Sequence, residues 1–158
     1  MSNVTNVQVD YAEAARRHLH DAVALYTSGR HANAGQLFGF TAECGLKALL
    51  IACKVPPGPD GGLSQKHPIK PGNRHPFREH VPQLMDAITQ HGQLIPDGAS
   101  ATRYMAGLPS LNHFTNWSID HRYWREQALP IASVAEWRDA AVEVGTMIDQ
   151  LTQDGMLP

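Results

Sequence analysis

The sequence predicts an all-α protein, an up-and-down bundle of four to five helices with one long Pro/Gly-rich loop between the second and third. Three observations carry this. Two segments near the chain ends repeat apolar residues at helical spacing, and a third segment is apolar all round its axis. No stretch alternates apolar and polar residues as a half-buried strand would. At 158 residues the chain suits a single domain, 1–158, with a helical core spanning about 10–153.

The first helix opens at Asp10, with Glu13 three residues on as in a capping box, and closes before Gly29. Between them Ala12, Ala15, Leu19, Ala22, Val23 and Tyr26 recur on one side. The second helix, His31 to Lys54, carries Leu37, Phe38, Phe40, Cys44, Leu46, Leu49, Leu50 and Ile51 in nearly every direction, the pattern of a central helix. Gly35, Gly39 and Ala42 form a small-residue ridge on it, suited to close approach by another helix backbone.

From Val55 to Pro82 the texture changes. Seven of the 11 prolines lie here, with four glycines, a density that no helix or inner strand tolerates. A short third helix follows Pro82, with Leu84, Met85 and Ile88 on one face. Ser100 is placed to cap a fourth, ending at Gly107. Residues 108–124 are aromatic-rich and read as short helical turns. The last helix begins at a Ser133/Glu136 capping box, follows a stripe through Trp137, Ala140, Ala141, Val144, Ile148 and Leu151, and stops at Gly155.

Composition excludes several classes. A hydrophobic content of 42% is too high for a disordered chain, and 13 Gly show no collagen-like period. No run of ~18 apolar residues exists to span a membrane. Met1 to Asp10 lacks the basic and apolar regions of a secretory signal, which leads to the expectation of a cytoplasmic protein. Cys44 and Cys53 share one helix, roughly 13 Å apart along its axis, so they are expected to be reduced core residues. The net charge is only −2, yet it is unevenly spread. Lys54, Lys66, Lys70, Arg74 and Arg78 stand against Asp60 and Glu79, making residues 54–80 carry +3 while the other 131 total −5. A local anionic partner is therefore reasonable where a whole-surface one is not.

The segment from Asp21 to Leu50 resembles the HEPN family of helical domains. The likeness lies in Asp21-Ala22 at the helix end, the Gly29-Arg30 turn followed by Ala32-Asn33-Ala34, and the core Ala42-Glu43-Cys44-Gly45-Leu46-Lys47-Ala48. A weaker echo is Trp117-Ser118-Ile119-Asp120-His121-Arg122-Tyr123. The resemblance implies a helical bundle that forms a homodimer and works beside a nucleotidyltransferase or an antitoxin partner. It also implies that some members cleave RNA without metal, using an Arg, a polar residue and then a His, the His assisting proton transfer and the Arg stabilising phosphate charge. The matching positions here are Arg74, His75 and His80. Nine Arg and nine His make about 1.5 such spacings expected by chance. Pro76 and Pro82 place this segment in a loop entering a helix, whereas the family holds its motif on a helix.

Two further constellations carry candidate chemistry. Glu43 and Lys47, at i and i+4 in the apolar second helix, are either a ligand-lining charged pair or a structural bridge. Asp120, Arg122 and Tyr123, among Trp117 and Trp124, are either a phosphate- and base-binding surface or a salt-bridged corner. No metal site is expected, since His18 and His20 point apart on a helix and no His/carboxylate ligand spacing occurs. No phosphate-cradling glycine loop occurs either, and no cofactor is expected. Two functions result: a non-catalytic helical module that binds a nucleotide or nucleic acid through the basic loop and Arg122, or a ribonuclease using Arg74 and His80.

Overall fold

The computed structural model describes residues 7–67 and 69–157. Five α-helices carry the fold: α1 Tyr11–Thr27, α2 His31–Ala52, α3 Gln83–Gln90, α4 Gly98–Met105 and α5 Val134–Gln153. Short 3-10 turns connect α4 to α5 across the aromatic-rich region, and no strand is present among the described residues. The all-α class expected from periodicity is observed.

Three long helices make the centre. α1 and α2 are joined by a three-residue turn and so run antiparallel. α5 lies along α2 in the same direction: Gly35 meets Val134 and Trp137, and ten residues later Gly45 meets Val144 and Ile148. Against α1 it runs the opposite way. The Arg16 guanidinium donates to Thr152 Oγ1 at 2.9 Å and lies 3.5 Å from Asp149, while Arg138 stacks 4.8 Å over the Tyr26 ring. The buried interior combines Ala15 and Ala22 of α1, Phe38, Leu46 and Leu49 of α2, and Val144, Ile148 and Leu151 of α5.

Helix ends follow local chemistry. Asp10 accepts from the Glu13 amide at 3.0 Å and caps α1. The cap of α4 is Asp97, not Ser100: the Asp97 carboxylate accepts from the Ser100 amide at 3.2 Å, starting the helix three residues earlier. Ser133 makes no capping bond to α5. Its backbone is already helical, φ −82 and ψ −13, at the end of the 3-10 turn Ile131–Ser133, whereas a cap residue is extended. Its hydroxyl accepts from Asn116 Nδ2 at 2.8 Å. α1, α2 and α5 all end in a paired 6→1 and 5→2 motif. In α1 and α5 the left-handed residues are Gly29 and Gly155. In α2 that residue is Lys54, with φ +74, so the helix stops at Ala52 rather than at Lys54.

The small-residue ridge of α2 works differently from expectation. It receives side chains, not a helix backbone: the Trp117 indole covers Gly39, Trp137 covers Gly35, and Val144 covers Gly45. Trp117 Nε1 also donates to the Gly35 carbonyl at 2.9 Å, so its polar atom is satisfied inside the core.

Candidate functional site

The basic loop is locally ordered. His67 donates its amide to Asn73 at 2.7 Å, His75 donates to Gln65 at 3.1 Å, and Lys66 pairs with Arg74 across an isolated antiparallel bridge. Residues 65–67 and 73–75 therefore run side by side as the two arms of a finger. Its sequence contains Lys66, Lys70 and Arg74 and no acidic residue. All three cations are exposed. Near the tip, His67 Nδ1 accepts from the amides of Ile69 and Lys70, a local turn that holds Lys70 in place.

The root of the finger is tied to the bundle. Arg78 donates from Nη1 to the Leu63 carbonyl at 2.8 Å, and the Leu63 amide donates to the Tyr11 hydroxyl at 3.0 Å. Burial raises the Tyr11 pKa and keeps that phenol neutral. Arg74 is braced by Glu79 at 3.4 Å and by the Arg78 carbonyl. Next to it His75 is almost wholly buried. Its Nδ1 accepts from the Phe77 amide at 3.2 Å, which leaves Nε2–H inside with no partner among the described residues. Burial lowers the His75 pKa, so the ring is neutral.

Here the structure joins residues that the sequence kept apart. Glu43 Oε2 lies 3.2 Å from Lys47 Nζ, and Glu43 Oε1 lies 2.5 Å from His80 Nδ1. An ionised carboxylate only accepts, so His80 Nδ1 carries the proton of that bond and Nε2 is directed away from Glu43. Lys47 is buried and Glu43 nearly so, while the His80 side chain is half exposed. The Glu43–Lys47 pair thus has a third member from the loop. Its sequence separation of 37 residues is why spacing within a helix did not reveal it. Arg74 and His80, by contrast, each have a different partner, Glu79 and Glu43, and neither lies on a helix.

Asp120, Arg122 and Tyr123 lie on the 3-10 turn Ile119–Tyr123. All three are exposed, and Tyr123 is 75% so. Arg122 stacks 4.7 Å over the Tyr123 ring, and the exposed Trp124 and Arg125 follow. The turn is well fixed: Ser118 accepts from the Asp120 amide at 3.1 Å, and buried His121 packs between Trp124 at 4.6 Å and Trp137 at 5.9 Å. Gln36 of α2 donates to the Ile119 carbonyl at 3.4 Å. Gln36 and Glu43 are seven residues apart, so the aromatic turn and the loop residue His80 attach to the same face of α2, about 10 Å apart along its axis.

The chain matches no family model, no curated protein and no solved structure. The site is therefore read from its chemistry. Both thiols are free, and burial pushes Cys44 and Cys53 up to about 11, so neither is a thiolate at neutral pH. No helix among the described residues is long and apolar enough to cross a membrane.

Periodicity and motif reading missed one arrangement entirely. A cleft of about 500 Å³ between α4 and α5 is lined by Arg103, Tyr104, Val142, Met147, Gln150 and Asp154. Tyr104 donates its hydroxyl to Asp154, and Gln150 Nε2 donates to the same carboxylate at 2.8 Å. Those bonds, Tyr104 first, hold the Asp154 carboxyl below its usual pKa. Fifty residues separate Tyr104 from Asp154, and no local pattern links them.

Proposed function

We propose that the protein is a HEPN-like helical binding module that holds a nucleotide or nucleic acid by its phosphates. The observation that carries this is the finger: three exposed cations, with Lys66 and Arg74 paired side by side, on a segment without an acid. Clustered Lys and Arg on a braced loop recognise phosphate by charge, and the contact weakens as salt rises because bound counterions are released. The rest of the chain carries a net −5, so the largest local excess of positive charge lies in this loop. The proposal keeps what the resemblance implies: a cytoplasmic homodimer with a nucleotidyltransferase or antitoxin as partner. Light scattering tests the dimer, and a monomer counts against it.

A labelled oligonucleotide titrated at low and high salt tests the finger. Binding at low salt that weakens steeply with salt, and is lost in Lys66→Ala/Lys70→Ala/Arg74→Ala, is the expected result. Undiminished binding by the triple variant overturns the proposal.

A second reading, metal-independent RNA cleavage, is favoured by one contact. A carboxylate on His80 Nδ1 orients the ring with Nε2 away from it, the arrangement that proton transfer uses. RNA cleavage in the presence of a chelator, abolished by His80→Ala, supports it. An inert wild type removes it.

A further inference from the structure

We infer that the turn at Tyr123 and Trp124 is a base-stacking platform, so the finger and this turn together select single-stranded over duplex nucleic acid. The inference rests on the proposed phosphate-binding role of the finger and adds the substrate class. Its own basis is independent. Of the three tryptophans, Trp117 and Trp137 are buried, whereas Trp124 is 49% exposed beside the still more exposed Tyr123. Two adjacent exposed rings stand out on a domain whose other large aromatics are buried or partly buried against the core.

Trp124 is also pre-positioned. Arg122 lies over Tyr123, and Trp124 stands edge-on to His121, itself stacked on Trp137 of α5. A ring held by the core loses little freedom when a base stacks on it. Arg122 and Arg125 flank the rings as cations for the adjoining phosphates, with the exposed acids Asp120 and Glu126 at the two ends of the stretch. His80, just beyond the finger, and this turn attach to one face of α2, at Glu43 and Gln36, about 10 Å apart along its axis. Paired bases in a duplex are already stacked on each other and offer no open face to Tyr123 or Trp124.

The test compares a short single-stranded oligouridylate with a blunt duplex of equal length, by anisotropy of the labelled probe and by tryptophan emission. The expected result is single-strand binding about tenfold or more tighter than duplex binding, with quenching dominated by Trp124. Tyr123→Ala and Trp124→Ala each lose that preference while salt-dependent binding through the finger persists. Tyr123→Ala leaves the His121 contact intact, so it reads stacking even where Trp124→Ala disturbs the turn. Equal affinity for both probes, or unchanged single-strand binding by Tyr123→Ala, overturns the platform and leaves the finger standing. A change in oligomeric state in these variants, without effect on the probe, assigns the patch to a protein interface and also overturns it. Absence of binding by either probe at low salt defeats the finger and the platform together.

Discussion

Trp117 occupies the space that a side chain at residue 39 would fill: a methyl group on Gly39 would come within 2.0 Å of the indole. The indole belongs to a buried residue whose Nε1–H is already committed to the Gly35 carbonyl, so it cannot simply turn away. Gly39→Ala is expected to destabilise the protein by about 1–3 kcal/mol through overpacking, even though Ala is the better helix former. Urea denaturation measures this. A Gly39→Ala/Trp117→Leu pair should lose less than the sum of the two single changes, since both act on one contact.

Lys54 closes α2 in a left-handed conformation at φ +74, where a Cβ is strained. Lys54→Gly is expected to stabilise the fold by about 0.5–1 kcal/mol, the relief of strain exceeding glycine's greater freedom in the unfolded chain. The same substitution takes one cation from the basic loop. A rise in thermal midpoint without loss of oligonucleotide binding would separate the capping role from the charge.

Lys47 is buried with Glu43 as its ion-pair partner. Glu43→Ala leaves that ammonium without its carboxylate and is expected to cost about 3 kcal/mol. Glu43→Leu with Lys47→Met removes both charges and should recover most of the loss, as measured by denaturant midpoint. If the double variant folds and binds oligonucleotide unchanged, the pair is structural. Lost binding in a folded double variant makes it part of the ligand surface.

Three histidines, His18, His75 and His121, have pKa values lowered from 6.5, each first by burial. Between the folded values and 6.5 the unfolded chain binds more protons than the native one. Their contribution is therefore fully present above pH 6.5 and is lost as pH falls through the lowered values. Urea midpoints at pH 7.5 and pH 5.5 should show lower stability in acid. Imidazole titrations by NMR should place the three rings below 6.5.

Much of the fold was legible because its signals are local. Asp10, Gly29 and Gly155 mark helix ends through bonds to residues a few positions away, and the α5 stripe from Trp137 to Leu151 needs only the helical period. The basic finger was visible as composition, since charge counts do not depend on pairing.

What the sequence by itself determined is the all-α class, the position of the long helices, the Pro-rich interruption and the uneven charge. Each follows from backbone preference or side-chain polarity over a few residues. Only the tertiary structure decided which residues meet. The Trp117 side chain covers Gly39 of the α2 ridge, Ser133 bonds Asn116 rather than capping α5, and His80 joins a pair that already looked complete at Glu43 and Lys47. Their partners lie 17 to 78 residues away, and packing in three dimensions leaves no periodic trace at those separations.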